Sequence, residues 1–178
     1  LAAGAIGIVG PLASNGATYG VPYFAVDNPR GAAGLLAQAL ARYPSRAMVV
    51  IGITGTNGKS STAWLVQHII EKSGHPAANL GTRGYQTGGA THTAPLTTPP
   101  GEDLAALMVE ARDAGVSHLV MEVSSHALEQ DRVAGVEFAV GAFTNLTQDH
   151  LDYHESMEEY LAAKLRLFER VRGHGRFT

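Results

Sequence analysis

A glycine-rich segment that ends in lysine and serine carries the strongest chemical signal in the sequence. It reads Gly55-Thr56-Asn57-Gly58-Lys59-Ser60-Ser61, and we call it the glycine loop. Glycine permits the positive φ angles that a tight loop needs, so successive backbone N–H groups can point at one anion. Lys59 adds a positive charge, and the Ser60 hydroxyl can bind a magnesium ion held by the same phosphates. The segment therefore predicts a binding site for a nucleoside triphosphate.

The residues on either side of the glycine loop fit that function. Residues 48–54 form an apolar run that is typical of a strand buried in a parallel sheet. Gly74 is placed to end a helix whose apolar face would comprise Leu65, Val66, Ile69 and Ile70. The strict pattern G-x-x-x-x-G-K-S/T requires glycine where this chain has Ile53. A chance glycine-rich turn is the alternative, and the flanking strand and helix disfavour it.

Two further segments could supply cation ligands at strand ends, where open α/β sheets bind their ligands. Glu122 ends an apolar strand at 118–123, and it could bind magnesium or simply reach solvent. The loop at 144–154 contains acidic residues together with His150 and His154. It could supply another ligand for a hard cation, although a loop histidine such as His154 is often only solvated.

Ser124, Ser125 and His126 could be taken for part of a nucleophilic site. Neighbours on an extended segment do not face each other, and the chain has no G-x-S-x-G elbow. Hydrolase chemistry is therefore disfavoured.

Lys164 is unusual because it falls on the apolar stripe of a predicted helix. That stripe comprises Met157, Tyr160, Leu161, Lys164 and Phe168. A lysine in this position must extend to solvent, pair with an acid such as Glu158 or Glu159, or be chemically modified. Extension to solvent is the commonest of the three.

Alternating strands and helices predict an α/β fold with a mainly parallel sheet. Apolar runs predict strands at 5–9, 21–26, 48–54, 118–123 and 138–143. Residues 79–92, rich in glycine and threonine, are predicted to be loop and irregular strand.

The other predicted helices have one apolar face each or a capping signal. The face of the first would comprise Leu35, Leu36, Ala39 and Leu40, and that of the third Leu104, Leu107, Met108 and Ala111. Ser156 and Glu159 form a capping box that begins the last helix.

A turn cluster at residues 27–31 predicts a domain boundary. We assign residues 1–28 to the end of an N-terminal domain and residues 29–178 to the first part of a central domain. Only three apolar strands follow the boundary, fewer than doubly wound nucleotide-binding domains usually contain. We therefore expect a fold that is incomplete at both ends.

The composition restricts the possible partners and compartment. The net charge of −3 disfavours nucleic-acid binding, and the absence of cysteine excludes disulfides and cysteine-ligated metals. No apolar run is long enough to span a membrane, and the N-terminus does not resemble a signal peptide. We expect a cytoplasmic monomer.

Several segments together resemble the Mur ligases. They are the glycine loop, Thr97-Thr98-Pro99, the block from Met121 to Leu128, Asn145-Leu146, Asp149-His150-Leu151-Asp152 and Ala162-Ala163-Lys164. They occur in the family's order, and the family's loop G-T-N-G-K-S/T lacks the outer glycine, which accounts for Ile53. The block from Met121 to Leu128 resembles the members that add the third residue of the peptidoglycan stem peptide.

The resemblance implies an ATP- and Mg²⁺-dependent amide ligase. ATP would phosphorylate the D-glutamate carboxylate of UDP-N-acetylmuramoyl-L-alanyl-D-glutamate, and the amine of diaminopimelate or lysine would attack the acyl phosphate. Residues 1–28 would end a UDP-sugar-binding domain, and residues 29–178 would begin the ATP-binding domain. The domain that receives the incoming amino acid would be absent, so the piece alone is expected to be inactive.

The resemblance also implies roles for individual residues. The glycine loop, from Gly55 to Ser61, would hold ATP together with Asn145. Magnesium would be held by Ser60, Glu122, His150 and Lys164, the last as a carbamate. Lys59, Glu122, His150 and Lys164 would be catalytic, and the muramoyl dipeptide would be held by Thr97, Thr98, Ser124, Gln130 and Arg132.

Two other functions remain open at this point. Folylpolyglutamate synthetase shares the architecture and the acyl-phosphate chemistry, but its loop has glycine in place of Ser60 and it lacks the block from Met121 to Leu128. The second alternative is a nucleotide-binding module without catalysis.

Overall fold

The computed structural model describes residues 4–12, 20–149 and 153–171. The strands are β1 (Ile8–Pro11), β2 (Tyr23–Val26), β3 (Val49–Thr54), β4 (Ala77–Gly81), β5 (Gly84–Gln86), β6 (Thr91–His92), β7 (His118–Glu122) and β8 (Val140–Phe143). The α-helices are α1 (Pro29–Leu40), α2 (Lys59–Lys72), α3 (Gly101–Asp113), α4 (Ser125–Glu129) and α5 (Met157–Glu169), and a short 3₁₀ helix spans Pro44–Ala47. No helix in these described parts is long and apolar enough to cross a membrane.

Six strands form one sheet in the order β6-β5-β4-β7-β3-β8, while β1 and β2 form a separate parallel pair. Strands β4, β7, β3 and β8 run parallel, and β5 and β6 form an antiparallel edge. The predicted mainly parallel α/β fold is confirmed. Because β7 and β8 both pair with β3, the segments that follow these three strands meet at one edge of the sheet. The division into domains at residue 28 stays a prediction.

The prediction of loop and irregular strand at residues 79–92 is only partly right, because the segment contains most of β4 together with β5 and β6 as regular paired strands. Strand β4 lies inside the sheet between β5 and β7, and its Ala78 and Leu80 are fully buried. Alanine, asparagine and glycine have low strand propensity, so pairing with β7 overrides the local preference. The sheet therefore has six strands after the predicted boundary, not three.

Helix α3 buries the face that the sequence predicted, with Leu104, Leu107, Met108 and Ala111 in the core. For α1 the predicted face is wrong, because its leucines are exposed and Leu40 is 84% accessible. Helix α1 instead packs its small residues Gly31 and Gly34 inward. A Cβ on Gly101 would lie 2.7 Å from the Gly34 Cα, so only glycine allows α1 and α3 to approach so closely.

The predicted end of α2 at Gly74 is confirmed, and the predicted buried face of this helix is confirmed only in part. Gly74 has φ +90°, and its N–H and that of His75 bond back to the last turn, as in a Schellman motif. Leu65 and Ile69 are exposed, whereas Ala63 and Gln67 are buried. Val66 and Ile70 pack against the cluster of Ile53, Ala63 and Val120, so two of the four predicted residues face the sheet.

Two local details concern helix N-termini. Ser156 Oγ accepts a hydrogen bond from the Glu159 N–H at 3.1 Å, which confirms Ser156 as the cap of α5. The Glu159 carboxylate, however, accepts from the Glu155 N–H and not from Ser156. The segment after Ser124, taken as extended from the sequence, is helix α4, and the Ser124 hydroxyl caps it.

Candidate functional site

The glycine loop connects β3 to α2 in the arrangement predicted from the sequence. Gly55 has φ +138° and Gly58 φ +83°, values that favour glycine. A Cβ on Gly55 would overlap the Thr144 hydroxyl. Ile53 lies before the loop, fully buried within β3, so no glycine is needed at that position.

The segment that follows β8 braces the glycine loop. Asn145 Oδ1 accepts from the Asn57 N–H at 3.0 Å, and Asn145 Nδ2 donates to the Asn57 carbonyl at 3.1 Å. The Thr56 N–H donates to the Asn145 carbonyl at 2.9 Å. Asn145, predicted to bind nucleotide, therefore lies directly against the loop and fixes its shape.

Lys59 folds back over the glycine loop at the start of α2. Its Nζ donates to the carbonyl oxygens of Gly55 at 3.0 Å and Thr56 at 2.8 Å. Burial lowers the pKa of Lys59, and the charges of Glu122 and Asp149 partly offset this. The ammonium group therefore lies where a phosphate bound by the loop would meet it.

Lys164 does not extend to solvent. It is 1% exposed, and its Nζ donates to the Gly55 carbonyl at 2.9 Å and lies 4.2 Å from the Tyr160 ring centroid. Burial, together with the charge of Lys59, lowers the pKa of Lys164 to about 8. The expectation of a solvent-extended lysine is wrong, and α5 delivers this amine to the glycine loop.

Glu122 also lies at the loop and is not solvated. Glu122 is only 2% exposed, and Ser60 Oγ donates a hydrogen bond to its Oε2 at 2.9 Å. Thr82, which the sequence analysis did not single out, donates to Oε1 from its N–H at 3.0 Å and its hydroxyl at 2.9 Å. Thr82 comes from the turn after the unpredicted strand β4, so no motif pointed to it.

The donor set at this point fits a magnesium ion. Carboxylate and hydroxyl oxygens are the hard ligands that Mg²⁺ prefers, and it is usually bound by one or two carboxylates together with substrate phosphates. Within the described part of the chain, no three or more His, Cys, Asp or Glu side chains lie close enough to hold a metal alone. His150, predicted as a ligand, lies outside the described residues. Ser60 and Glu122 could thus hold the ion only with help from phosphates or from residues not described.

The residues predicted to hold the second substrate form a connected group beside Glu122. The Thr98 hydroxyl donates to the Glu122 carbonyl at 2.9 Å and accepts from the Ser124 N–H at 3.1 Å. Arg132 donates to the Thr98 carbonyl at 3.1 Å and to Gln130 Oε1 at 2.7 Å.

Two members of this group line an open cavity, and Thr97, the fifth predicted residue, is half-buried. Gln130 and Arg132 line a cavity of about 390 Å³ together with Arg30 and Pro100. The structure therefore brings four of the five predicted residues into one network and gives two of them a shared open surface.

His154 is buried, contrary to the solvated alternative, and only 2% exposed. Its Nε2 lies 2.9 Å from Ser125 Oγ, and its Nδ1 lies 3.2 Å from Glu129 Oε2. This Ser–His–Glu arrangement was missed because His154 lies 29 residues after Ser125 in the sequence. Ser125 is also 2% exposed, so a substrate has no access to its hydroxyl, and the group instead attaches the start of the α5 segment to α4.

Tyr153 reinforces the same attachment. Its hydroxyl accepts from Gln130 Nε2 at 3.1 Å, and its ring centroid lies 4.0 Å from that of His126. The segment before α5 is thereby tied to the loop that carries Gln130.

The glycine loop lies between a buried parallel strand and a helix, with an acid at the end of the neighbouring strand, and this arrangement defines a mainly parallel α/β protein with a candidate ligand site at the carboxyl ends of its strands. Among protein families, the model of the Mur ligase middle domain matches residues 53–178. This chain therefore belongs to the Mur ligase family.

Individual relatives agree with this assignment. The chain is 49% identical over 149 residues to the UDP-N-acetylmuramoyl-L-alanyl-D-glutamate--2,6-diaminopimelate ligase of Geobacter metallireducens, covering 84% of this chain and 29% of that protein. It is 41% identical over 174 residues to the UDP-N-acetylmuramyl-tripeptide synthetase of Deinococcus radiodurans, covering 96% of this chain and 36% of that protein. The chain thus spans about a third of the length of these curated relatives.

Solved structures show the same fold. A UDP-N-acetylmuramoyl-L-alanyl-D-glutamate--2,6-diaminopimelate ligase matches with a TM-score of 0.72 and 30% identity, covering 86% of this chain and 32% of that one. A MurF ligase from Thermotoga maritima in complex with ADP matches with a TM-score of 0.56 at 16% identity, covering 95% of this chain and 35% of that one.

Proposed function

We propose that the complete gene product is an ATP-dependent ligase that adds the third amino acid to UDP-N-acetylmuramoyl-L-alanyl-D-glutamate in peptidoglycan synthesis. The observation that supports this most directly is the meeting of Lys59, Lys164 and Glu122 around the glycine loop. The names of the relatives supply the reaction, and most of these names give diaminopimelate as the amino acid added. Lysine is the alternative amino acid.

The chemistry proceeds in two steps. The γ-phosphoryl group of ATP moves to the side-chain carboxylate of D-glutamate, which gives an acyl phosphate and ADP. The neutral amine of the incoming amino acid then attacks the acyl carbon. The amide bond forms as the amine releases one proton, and inorganic phosphate leaves with the electron pair of the broken C–O bond. Such transfers depend mainly on positioning and on neutralising charge.

The residues of the glycine loop perform the positioning on the ATP side. Backbone N–H groups of residues 55–61 and the N-terminus of α2 hold the phosphates, with Asn145 as the brace. Lys59 leaves the loop carbonyls to contact the phosphates. Magnesium, held by Ser60 and Glu122 with His150 and modified Lys164, would neutralise phosphate charge during transfer.

On the other side of Glu122, the muramoyl dipeptide occupies the cavity near Arg132. Arginine offers a planar pair of donors that matches a carboxylate, and Gln130 holds its orientation. Thr97, Thr98 and Ser124 provide further polar groups at the same end of β7. The residues that would hold the two reactants thus both contact Glu122, Ser60 through its carboxylate and Thr98 through its carbonyl.

Lys164 acts as a carbamate in this proposal. Its neutral amine adds to carbon dioxide, forming the N–C bond of a carbamate and releasing one proton. The lowered pKa of Lys164 makes the neutral amine accessible near neutral pH. The product is an anion that replaces a buried cation next to Lys59.

The proposed function also implies a compartment, an oligomeric state and a set of partners. In this proposal the enzyme acts in the cytoplasm as a monomer, and its partners are the muramoyl dipeptide and an amino acid, without nucleic acid or membrane. The net charge of −3 disfavours nucleic acid as a partner. The chain contributes the end of the N-terminal domain, residues 1–28, and the first part of the ATP-binding domain.

A turnover assay on the complete gene product tests the proposal. ADP release should require both the muramoyl dipeptide and an amino acid, and diaminopimelate and lysine are compared side by side. Stimulation by a folate and glutamate instead would identify a folylpolyglutamate synthetase. ATP binding without turnover under any of these conditions would indicate a binding module and contradict the ligase.

A further inference from the structure

The turn between β4 and β5 holds the carboxylate of Glu122. Gly81 and Gly84 pair across the two strands, which leaves Thr82 and Arg83 as the turn residues. Thr82 supplies two of the three hydrogen bonds that described residues donate to this carboxylate, one from its N–H and one from its hydroxyl. A buried carboxylate needs such donors, because burial without them is costly.

Gly81 allows this close approach. A Cβ at position 81 would overlap Glu122 Oε1, so any other residue would push the carboxylate away from the Thr82 N–H. The glycine lies within β4 and has ordinary extended geometry, so the space for Glu122 is the reason for glycine here.

Thr82 also contacts Ser60, the other oxygen donor of the site. The two hydroxyl oxygens lie 2.8 Å apart, and Ser60 Oγ donates to Glu122 Oε2 at 2.9 Å. The Ser60 and Thr82 hydroxyls have one proton each, but they make three contacts: one with each other and one each with Glu122. When both protons are donated to Glu122, the two hydroxyl oxygens face each other with lone pairs only. A hard cation that accepts a lone pair from Ser60 relieves this repulsion.

We propose that Thr82 is a positioning residue that holds Glu122 and Ser60 in the arrangement that binds the divalent cation of the nucleotide. This inference rests on the proposed function, which supplies the nucleotide and the cation. The Thr82 hydroxyl contacts both Glu122 and Ser60, and the Thr82 backbone N–H donates a further hydrogen bond to the Glu122 carboxylate.

Cation binding by the complete gene product tests this directly. Mn²⁺ is titrated in the presence of a non-hydrolysable ATP analogue, and free Mn²⁺ is read from its electron paramagnetic resonance signal. The variants are Thr82→Val, which keeps the shape and removes the hydroxyl, and Thr82→Ser, which keeps the hydroxyl. Thr91→Val on the exposed strand β6 is the matched control. Affinity for the analogue is also measured in EDTA, and the melting temperature of each variant is recorded.

The Mn²⁺ dissociation constant should rise about tenfold in Thr82→Val, the loss expected for one hydrogen bond to a charged group. It should stay within about twofold in Thr82→Ser and Thr91→Val, and affinity in EDTA should be unchanged in all variants. Wild-type Mn²⁺ affinity in Thr82→Val, or equal losses in the valine and serine variants, would overturn the inference. If Thr82→Val does not fold, Thr82→Ala replaces it under the same criteria. A wild-type protein that binds neither Mn²⁺ nor the analogue would instead overturn the proposed nucleotide site.

Discussion

Lys59 and Lys164 donate hydrogen bonds to the same backbone oxygen, the carbonyl of Gly55, at 3.0 and 2.9 Å. Two ammonium groups on one acceptor repel each other, and this repulsion adds to burial in lowering the pKa of Lys164. Binding a phosphate, or converting one lysine to an anion, removes the repulsion. The pair therefore favours negative charge at the glycine loop.

Replacing Lys59 with alanine should reduce turnover by at least about a hundredfold, because the loop loses its positive charge next to the transferred phosphoryl group. The fold should remain intact, since the Gly55 carbonyl keeps its hydrogen bond from Lys164 when the Lys59 side chain is removed. Turnover and the circular dichroism spectrum are compared with those of Lys72→Ala, a control at the exposed end of the same helix. Normal turnover by a folded Lys59→Ala variant would exclude the nucleotide function of the loop.

The carbamate on Lys164 should form as pH rises through about 8, the pKa of the buried amine. Below that pH the ammonium form dominates and cannot react with carbon dioxide, so the carbamate should be lost on acidification. Carbon-13 NMR of the complete gene product in labelled bicarbonate measures the carbamate signal. Lys164→Arg, which keeps a positive charge but cannot form this carbamate, identifies the signal.

Rescue of a Lys164 variant by an added carboxylate gives a second test of the carbamate. Lys164→Ala should lose most activity, and a small added carboxylate such as acetate should restore part of it. Activity close to that of the wild type, or full rescue by magnesium alone, would rule out a role for the carbamate.

Arg132→Ala should weaken binding of the muramoyl dipeptide by about 2 kcal/mol, roughly thirtyfold, while leaving ATP affinity unchanged. Arg132 faces the cavity beside Thr98 and has no contact with the glycine loop among its described hydrogen bonds. Calorimetric titration of each ligand separates the two effects, with Arg112→Ala on α3 as the control. Equal losses for both ligands would show that Arg132 serves the fold.

Gly101→Ala should destabilise the protein by about 1–3 kcal/mol, because the added methyl group meets the backbone of α1 at Gly34. Urea unfolding measures the change in the free energy of unfolding. Gly89→Ala is the control, since its methyl group would make only an ordinary 3.9 Å contact with Ala114. An unchanged midpoint in Gly101→Ala would mean that the contact between α1 and α3 can relax without cost.

The sequence predicted the parts of the site whose chemistry depends on local order. Strand β3, the glycine loop and the start of α2 are consecutive, and Glu122 ends an apolar run, so pattern alone was sufficient to place them at one sheet edge. Lys164 stood out because a charge on an apolar stripe needs an explanation, although only the structure shows that it is buried against Gly55.

What the sequence could not predict depends on tertiary packing. Strand β4 has few strand-forming residues and exists because β7 pairs with it, so its turn and Thr82 were missed with it. The apolar stripe of α1 lies on its exposed side. The buried side of this helix contains glycines instead, because they allow the close approach to α3. His154 meets Ser125 and Glu129 only after folding.

An isotope experiment tests the proposal that this glycine loop serves acyl-phosphate chemistry on the muramoyl dipeptide. The complete gene product is supplied with ATP, Mg²⁺, diaminopimelate and dipeptide labelled with oxygen-18 in the D-glutamate side-chain carboxylate. The released inorganic phosphate should carry one labelled oxygen for each tripeptide formed. Tripeptide formation with unlabelled phosphate, or ADP release without tripeptide, would contradict it.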